Sequence, residues 1–293
     1  MQEPLAEDTV RRLLKSVLPD GGGIELRPVT DTAWWVGAGH VLRLARDARV
    51  SQGLRREARL RDLLRPYVTV ALPVCVAAGE WAPGLAYALD TRLPGESAET
   101  RDVTAAGEED LAGLLTGLHA VPVARAVPLG VPKVAPRSLE NLRREAKRAA
   151  EWLDREGEFE AARLGQLTAQ AVAQLGPQAD AVLVHHAVTG QHLTVSADGR
   201  VRGVLDWADV VVGDPAEDIA GLAISVGARA AVRSATLAGY GARVCLRGLW
   251  LARCDALVRL AARLQGAGGG SAGLLRVRME RAWEAILLEL VSE

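Results

Sequence analysis

Apolar positions recur at helical spacing over residues 9–18, which predicts an opening amphipathic helix. From residue 24 to residue 95 the pattern shifts to short apolar runs between turn residues, with one helical stretch around residues 55–64. This predicts a five-stranded lobe carrying a single helix. Pro94-Gly95-Glu96-Ser97 breaks the pattern and marks a hinge. Residues 108–180 read as helical apart from a proline-rich connector over 122–136. Val182-Leu183-Val184 is a short strand, residues 185–192 are a polar loop, and Leu193-Thr194-Val195 is a second strand. Asp198-Gly199 then sits between two apolar runs, a strong hairpin signal, so residues 201–205 return as a strand with Asp206 at its end. Helices follow over 218–292, interrupted by the flexible glycine-rich stretch 266–273. No internal repeat is present. Strands first and helices afterwards give an α+β class, divided into residues 1–95 and 96–293.

Bulk properties narrow the function. A chain of 293 residues can bury the cores of two lobes. A net charge of −1 supplies no basic footprint for nucleic acid. The longest uncharged run, residues 66–79, is too short for a membrane span and holds two prolines. Cys75, Cys245 and Cys254 form no metal or disulfide pattern, and the first residues lack a long apolar stretch. A reducing, cytoplasmic setting is expected. Oligomeric state is not legible.

The chemistry concentrates in Val184-His185-His186-Ala187-Val188-Thr189-Gly190-Gln191-His192 and in Asp206. The predicted strands bring the loop and Asp206 to one rim of one small sheet. His192 and Asp206 would converge there on Mg²⁺, which prefers oxygen ligands and keeps several waters. Taken singly, Arg43 reads as a surface arginine, Glu57 as a solvated helix residue, and Trp34 and Trp35 as packing with one near the ligand. His119 reads as a capping or core histidine.

The ordered set of motifs resembles the aminoglycoside phosphotransferase family and, within it, the macrolide phosphotransferases. That family's loop reads His-Gly-Asp, four residues, then Asn or His; here it reads His185-His186-Ala187 and then His192. Leu205-Asp206-Trp207 and Gly213-Asp214-Pro215-Ala216-Glu217-Asp218-Ile219-Ala220 match the segments that follow. Arg43 in Val41-Leu42-Arg43-Leu44 stands where many members have the phosphate-pairing lysine, and Glu57 stands for its partner. Leu118-His119-Ala120-Val121-Pro122 matches a family helix end. The matches run in order from about residue 40 to 225.

The resemblance implies a two-lobed protein-kinase-like fold with its cleft near Pro94 and Gly95. It implies ATP or GTP as donor, Mg²⁺ held by His192 and Asp206, and the purine edge against the backbone of Asp90, Thr91, Arg92 and Leu93. His185, Asp214 and Asp218 take structural roles, with Asp218 ordering the loop. The departure is Ala187, which stands where the family base is an aspartate. Three readings stay open: an engineered loss, a natural nucleotide- or ligand-binding pseudokinase, or an active member with a displaced base. His186 is a weak surrogate base, because adjacent residues in an extended loop point opposite ways. The acceptor is expected to be a small hydroxylated molecule. Residues 219–279 hold Asp255 as their sole acidic residue among many arginines, and Asp209 and Glu217 lie close to the site in sequence. That composition suits a macrolide-like acceptor better than a polycationic aminoglycoside, which needs several carboxylates.

Overall fold

The computed structural model describes residues 7–18, 24–178 and 180–286. Helix α1 (Glu7–Val17) precedes strands β1 (Leu26–Thr30), β2 (Ala33–Val36) and β3 (His40–Leu44), helix α2 (Ala48–Leu64), and strands β4 (Cys75–Ala82) and β5 (Leu85–Thr91). The five strands form one antiparallel sheet in the order β1-β2-β3-β5-β4. Alternation turns Trp34, Val36, Leu42, Leu44 and Leu89 into a core closed by Val10 and Leu14 of α1. Helix α2 starts seven residues before the apolar periodicity suggests. Asp47 caps it by accepting from the Val50 N–H at 2.8 Å, and the first turn carries an exposed Val50 that gives no amphipathic signal.

Beyond the hinge come β6 (Glu96–Ser97), helices α3 (Ala105–Ala120), α4 (Val123–Ala126), α5 (Leu139–Arg155) and α6 (Ala169–Gln174), and strands β7 (Val182–Val184), β8 (Leu193–Val195), β9 (Val201–Val204) and β10 (Val211–Gly213). Helices α7 (Ala216–Val226), α8 (Ala228–Leu237), α9 (Ala242–Leu264) and α10 (Ala272–Ala282) complete the second lobe. The expected helical stretch to residue 292 runs past the described residues. The turn between α9 and α10 uses Gly266, Gly268 and Gly270 at positive φ, as the glycine run suggests.

One expectation is corrected. The loop and Asp206 do not share a single small sheet. β7 pairs with β10, whereas β8 lies between β6 and β9 and pairs with both. The β6 pairing requires Gly95 at φ 117°, where an added Cβ would lie 2.9 Å from the Val195 carbonyl oxygen. The expected α+β two-lobed architecture is otherwise what the chain adopts.

Helix α9 runs through the middle of the second lobe, with Leu249, Leu251, Leu257 and Leu260 fully buried. It approaches α7 closely at Gly248, where a Cβ would lie 2.7 Å from Ile219 and 3.0 Å from the Ala216 carbonyl. Helix α7 carries Asp218 to the loop, so this contact bears on the site. In Gly248→Ala, overpacking of about 1–3 kcal/mol is expected to outweigh the roughly 1 kcal/mol alanine gains in a helix. Thermal unfolding should show a lowered midpoint; an unchanged or raised midpoint would contradict this account of the α7–α9 contact.

Candidate active site

A cavity of about 990 Å³ opens between the five-stranded sheet and the loop region. Its upper wall holds Arg43, Glu57, Arg61, Asp90, Thr91, Arg92 and Leu93, and its floor holds Gln191, His192, Asp206 and Asp209. Arg43 donates from Nη1 to Glu57 at 2.7 Å and from Nη2 to Asp90 at 2.8 Å. Arg61, one helical turn after Glu57, donates to the other Asp90 oxygen at 2.6 Å. Glu57 also accepts from the Trp207 N–H at 3.4 Å, next to Asp206. Arg56 reaches the Ala208 carbonyl and, at 3.2 Å, that of Gly130. Two consecutive α2 residues thus grip the turn that bears Asp206.

The hinge is partly committed. The Thr91 N–H donates to Val74 and the Arg92 N–H to Gly39, each at 2.8 Å, and the Asp90 side chain faces Arg43 and the buried Arg61. Trp35 lines the cavity with the guanidinium groups of Arg27 and Arg92 at 3.8 and 4.2 Å from its ring, while Trp34 is buried in the sheet core.

The loop is held from below by a single carboxylate. Asp218 accepts from the N–H groups of His185 and His186, each at 2.8 Å. Burial pushes its carboxyl up to about 7, against these two amide bonds, which favour the anion. His185 is fully buried; its Nε2–H donates to the Leu205 carbonyl at 3.0 Å, and its ring stands edge-on to Trp207. Burial pulls the imidazole down to about 4, so it is neutral near pH 7. Its Nδ1 has no partner.

His192 Nδ1 lies 2.7 Å from the Ala187 carbonyl, which can only accept, so Nδ1 carries the proton. Its Nε2 lies 3.3 Å from an Asp206 oxygen. Two ligands at right angles about 2.1 Å from one Mg²⁺ lie about 3 Å apart, so the pair fits a shared ion. Among the described residues no third His, Cys, Asp or Glu joins them, which suits an ion completed by water and phosphate oxygens. Asp206 at φ 59° and His186 at φ 66° are the non-glycine residues with positive φ among those described, and both lie at this site. Ala187 and the exposed His186 are absent from the cavity lining.

Of the three carboxylates expected near an acceptor, only Asp209 lines this cavity. Glu217 and Asp255 are both engaged by Arg137, which makes paired hydrogen bonds of 2.7–3.1 Å to the first and 2.8–2.9 Å to the second. Asp214 accepts from the Ala216 N–H at 3.0 Å and from the buried Arg247 at 2.6 Å, closing the start of α7. Sequence reasoning missed Arg56, Arg61 and Arg137. Only Arg61 left a signal, its i, i+4 spacing from Glu57.

The phosphotransferase enzyme family model (APH) matches residues 26–250, and the chain belongs to that family. It is a kinase-like phosphotransferase. It is 25% identical over 249 residues to viomycin phosphotransferase of Streptomyces vinaceus, covering 80% of this chain and 84% of that one. The fold resembles the GDP complex of wild-type aminoglycoside 2'-phosphotransferase-IIIa, with a TM-score of 0.66 at 19% identity, over 96% of this chain and 99% of that one. It also resembles macrolide 2'-phosphotransferase MphH from Brachybacterium faecium, with a TM-score of 0.61 at 21% identity, over 94% and 99% of the two chains.

The buried His185 has a pH signature. Its folded pKa lies below the ordinary 6.5, so its contribution is present above pH 6.5 and is lost as pH falls through 6.5 toward about 4. Asp218 has the opposite sign, since its raised carboxyl costs stability as pH rises from about 4 to about 7. Comparing the wild type with His185→Gln isolates the histidine. Denaturant unfolding from pH 7 to pH 4 should show the variant losing less stability than the wild type; parallel curves would place the histidine's titration elsewhere.

Proposed function

We propose that this enzyme is a small-molecule O-phosphotransferase that passes the γ-phosphoryl of ATP or GTP to a hydroxyl of an antibiotic or related natural product, with transfer weakened by Ala187. The observation that carries the proposal is the His192–Asp206 pair on the floor of the cavity, beneath Arg43 and Glu57. In this reading residues 1–95 are the nucleotide lobe and residues 96–293 hold the loop and acceptor pocket. Arg43 faces the α- and β-phosphates and the hinge carries the purine. His192 and Asp206 hold Mg²⁺, which when bound neutralises phosphate charge. Three free thiols suit the cytoplasm.

What this chain's own residues do follows from their geometry. Phosphoryl transfer depends mostly on positioning and electrostatics, so the family scaffold retains its main levers without the loop aspartate. What is missing at 187 is an acceptor for the hydroxyl proton. His186, exposed and outside the cavity lining, is poorly placed to replace it. A second reading, a nucleotide-, ligand- or partner-binding module without turnover, rests on Ala187 itself.

Viomycin, aminoglycoside and macrolide phosphotransferases among the similar proteins support an antibiotic-class acceptor. The charge pattern favours a macrolide-like or neutral polyol molecule. Arg137 already holds Glu217 and Asp255 in hydrogen bonds, so Asp209 is the carboxylate of the three that lines the cavity and can pair with one amine. A polycation would leave ammonium groups desolvated and unpaired.

Two experiments test this. Calorimetry with ATP and GTP should show Mg²⁺-dependent binding that Asp206→Ala abolishes; metal-independent binding unaffected by that change would remove the metal assignment. Ala187→Asp should raise transfer to a hydroxylated acceptor by about a hundredfold or more. A mass-spectrometric panel should rank macrolides and neutral polyols first and aminoglycosides last. No gain with nucleotide still bound supports the binding-module reading, and efficient modification of aminoglycosides alone refutes the charge argument.

A further inference from the structure

The Arg43–Glu57 pair is not isolated. A second carboxylate and a second guanidinium close it into a four-membered ring of charges. Arg43 bridges Glu57 and Asp90, and Arg61 donates to Asp90 at 2.6 Å and lies 3.8 Å from Glu57. Glu57, Arg61 and Asp90 have side chains at most 5% exposed, whereas Arg43 keeps 26% and faces the cavity. The backbone builds the ring. Arg43 pairs with Ala88 and Asp90 with Val41 across the β3–β5 ladder, so Arg43 and Asp90 are diagonal neighbours on one face. Glu57 and Arg61 are one helical turn apart on α2, which covers that face.

We propose that Asp90 and Arg61 are a matched pair of positioning residues that set how strongly Arg43 can engage a polyphosphate. This rests on the nucleotide reading above and deepens it. A guanidinium has five N–H donors, two on each terminal nitrogen and one on Nε. In Arg43 each terminal nitrogen gives one bond to a carboxylate. Asp90 therefore takes a donor, and the negative charge it adds opposes an incoming phosphate. Arg61 offsets that charge and holds Asp90 by its other oxygen. With both present the ring sums to zero; removing either member leaves a net charge beside the phosphate site.

The two residues consequently act with opposite sign. Asp90→Asn keeps the shape, releases Arg43 Nη2 and leaves the ring at +1. Arg61→Gln frees Asp90 to hold Arg43 alone and leaves the ring at −1. A purely structural role would have both changes disorder the sheet–α2 contact and weaken binding together. For a unit charge a few ångströms from a phosphate at a part-buried site, an effect of about tenfold in affinity is expected each way. It should shrink with added salt to the extent that the cavity is open to solvent.

The experiment is calorimetric titration of the full chain with Mg·ADP and Mg·ATP, at low and at moderate salt. The expected result is tighter binding by Asp90→Asn, weaker binding by Arg61→Gln, and a return toward wild-type affinity in the double variant. Thermal unfolding checks that each variant is folded. Should Asp90→Asn fail to fold, Arg61→Gln and the double variant still decide, because the double must bind more tightly than Arg61→Gln alone. Shifts in the same direction, or no shift, with nucleotide bound by the wild type, overturn the pair and leave the nucleotide reading intact. No binding of either nucleotide by the wild type overturns both.

Discussion

The carboxylate of Glu57 is the point through which both walls of the cleft are held. One oxygen takes the guanidinium of Arg43 from the sheet, and the other takes the backbone N–H of Trp207, next to Asp206 on the floor. It is 1% exposed, so it needs these partners to be tolerable at all. Removing one member of such a buried set leaves an uncompensated charge, at a cost of about 3–5 kcal/mol. The same carboxylate thus orders a candidate phosphate contact and a candidate metal turn, and the preceding Arg56 reinforces the second link. Helix α2 is therefore less a cover over the sheet than the part that couples the two lobes.

Backbone strain has a location in this molecule. His186 and Asp206 adopt left-handed φ without being glycine, a conformation that costs roughly 1–2 kcal/mol for such residues. The surroundings compensate at both positions. Asp218 accepts from the backbone N–H groups of His185 and His186, and α2 grips the residues just after Asp206. The family pattern has glycine where His186 stands, which is the residue the φ value asks for. The loop thus holds this shape with histidine at 186 and alanine at 187.

Arginine is the recurring structural tool of this chain. Arg61, Arg137 and Arg247 each satisfy buried or half-buried carboxylates, and Arg137 joins α7 to α9 through Glu217 and Asp255. That use changes what an acceptor would meet. A carboxylate already in two hydrogen bonds with a guanidinium offers little to an incoming amine. Glu217 and Asp255 are thus internal fastenings, whereas Asp209 lines the cavity.

Much of this was legible in the residues. The alternation through residue 95, the Asp198-Gly199 turn and the strand leading into Asp206 are local patterns, and local patterns survive folding because short-range sterics and burial set them. The spacing from His192 to Asp206 also pointed to their meeting, since a hairpin lies between them. The start of α2 was hidden because a single cap at Asp47 fixes it without any apolar repeat. The split of the small strands into two sheets, the ring through Asp90 and Arg61, and the capture of Glu217 and Asp255 by Arg137 were decided only by tertiary structure. Asp90 is 47 positions from Arg43, and Asp255 is 118 from Arg137. An ion pair carries no periodicity, and in a chain this rich in arginine, charge alone does not say which carboxylate each cation will find.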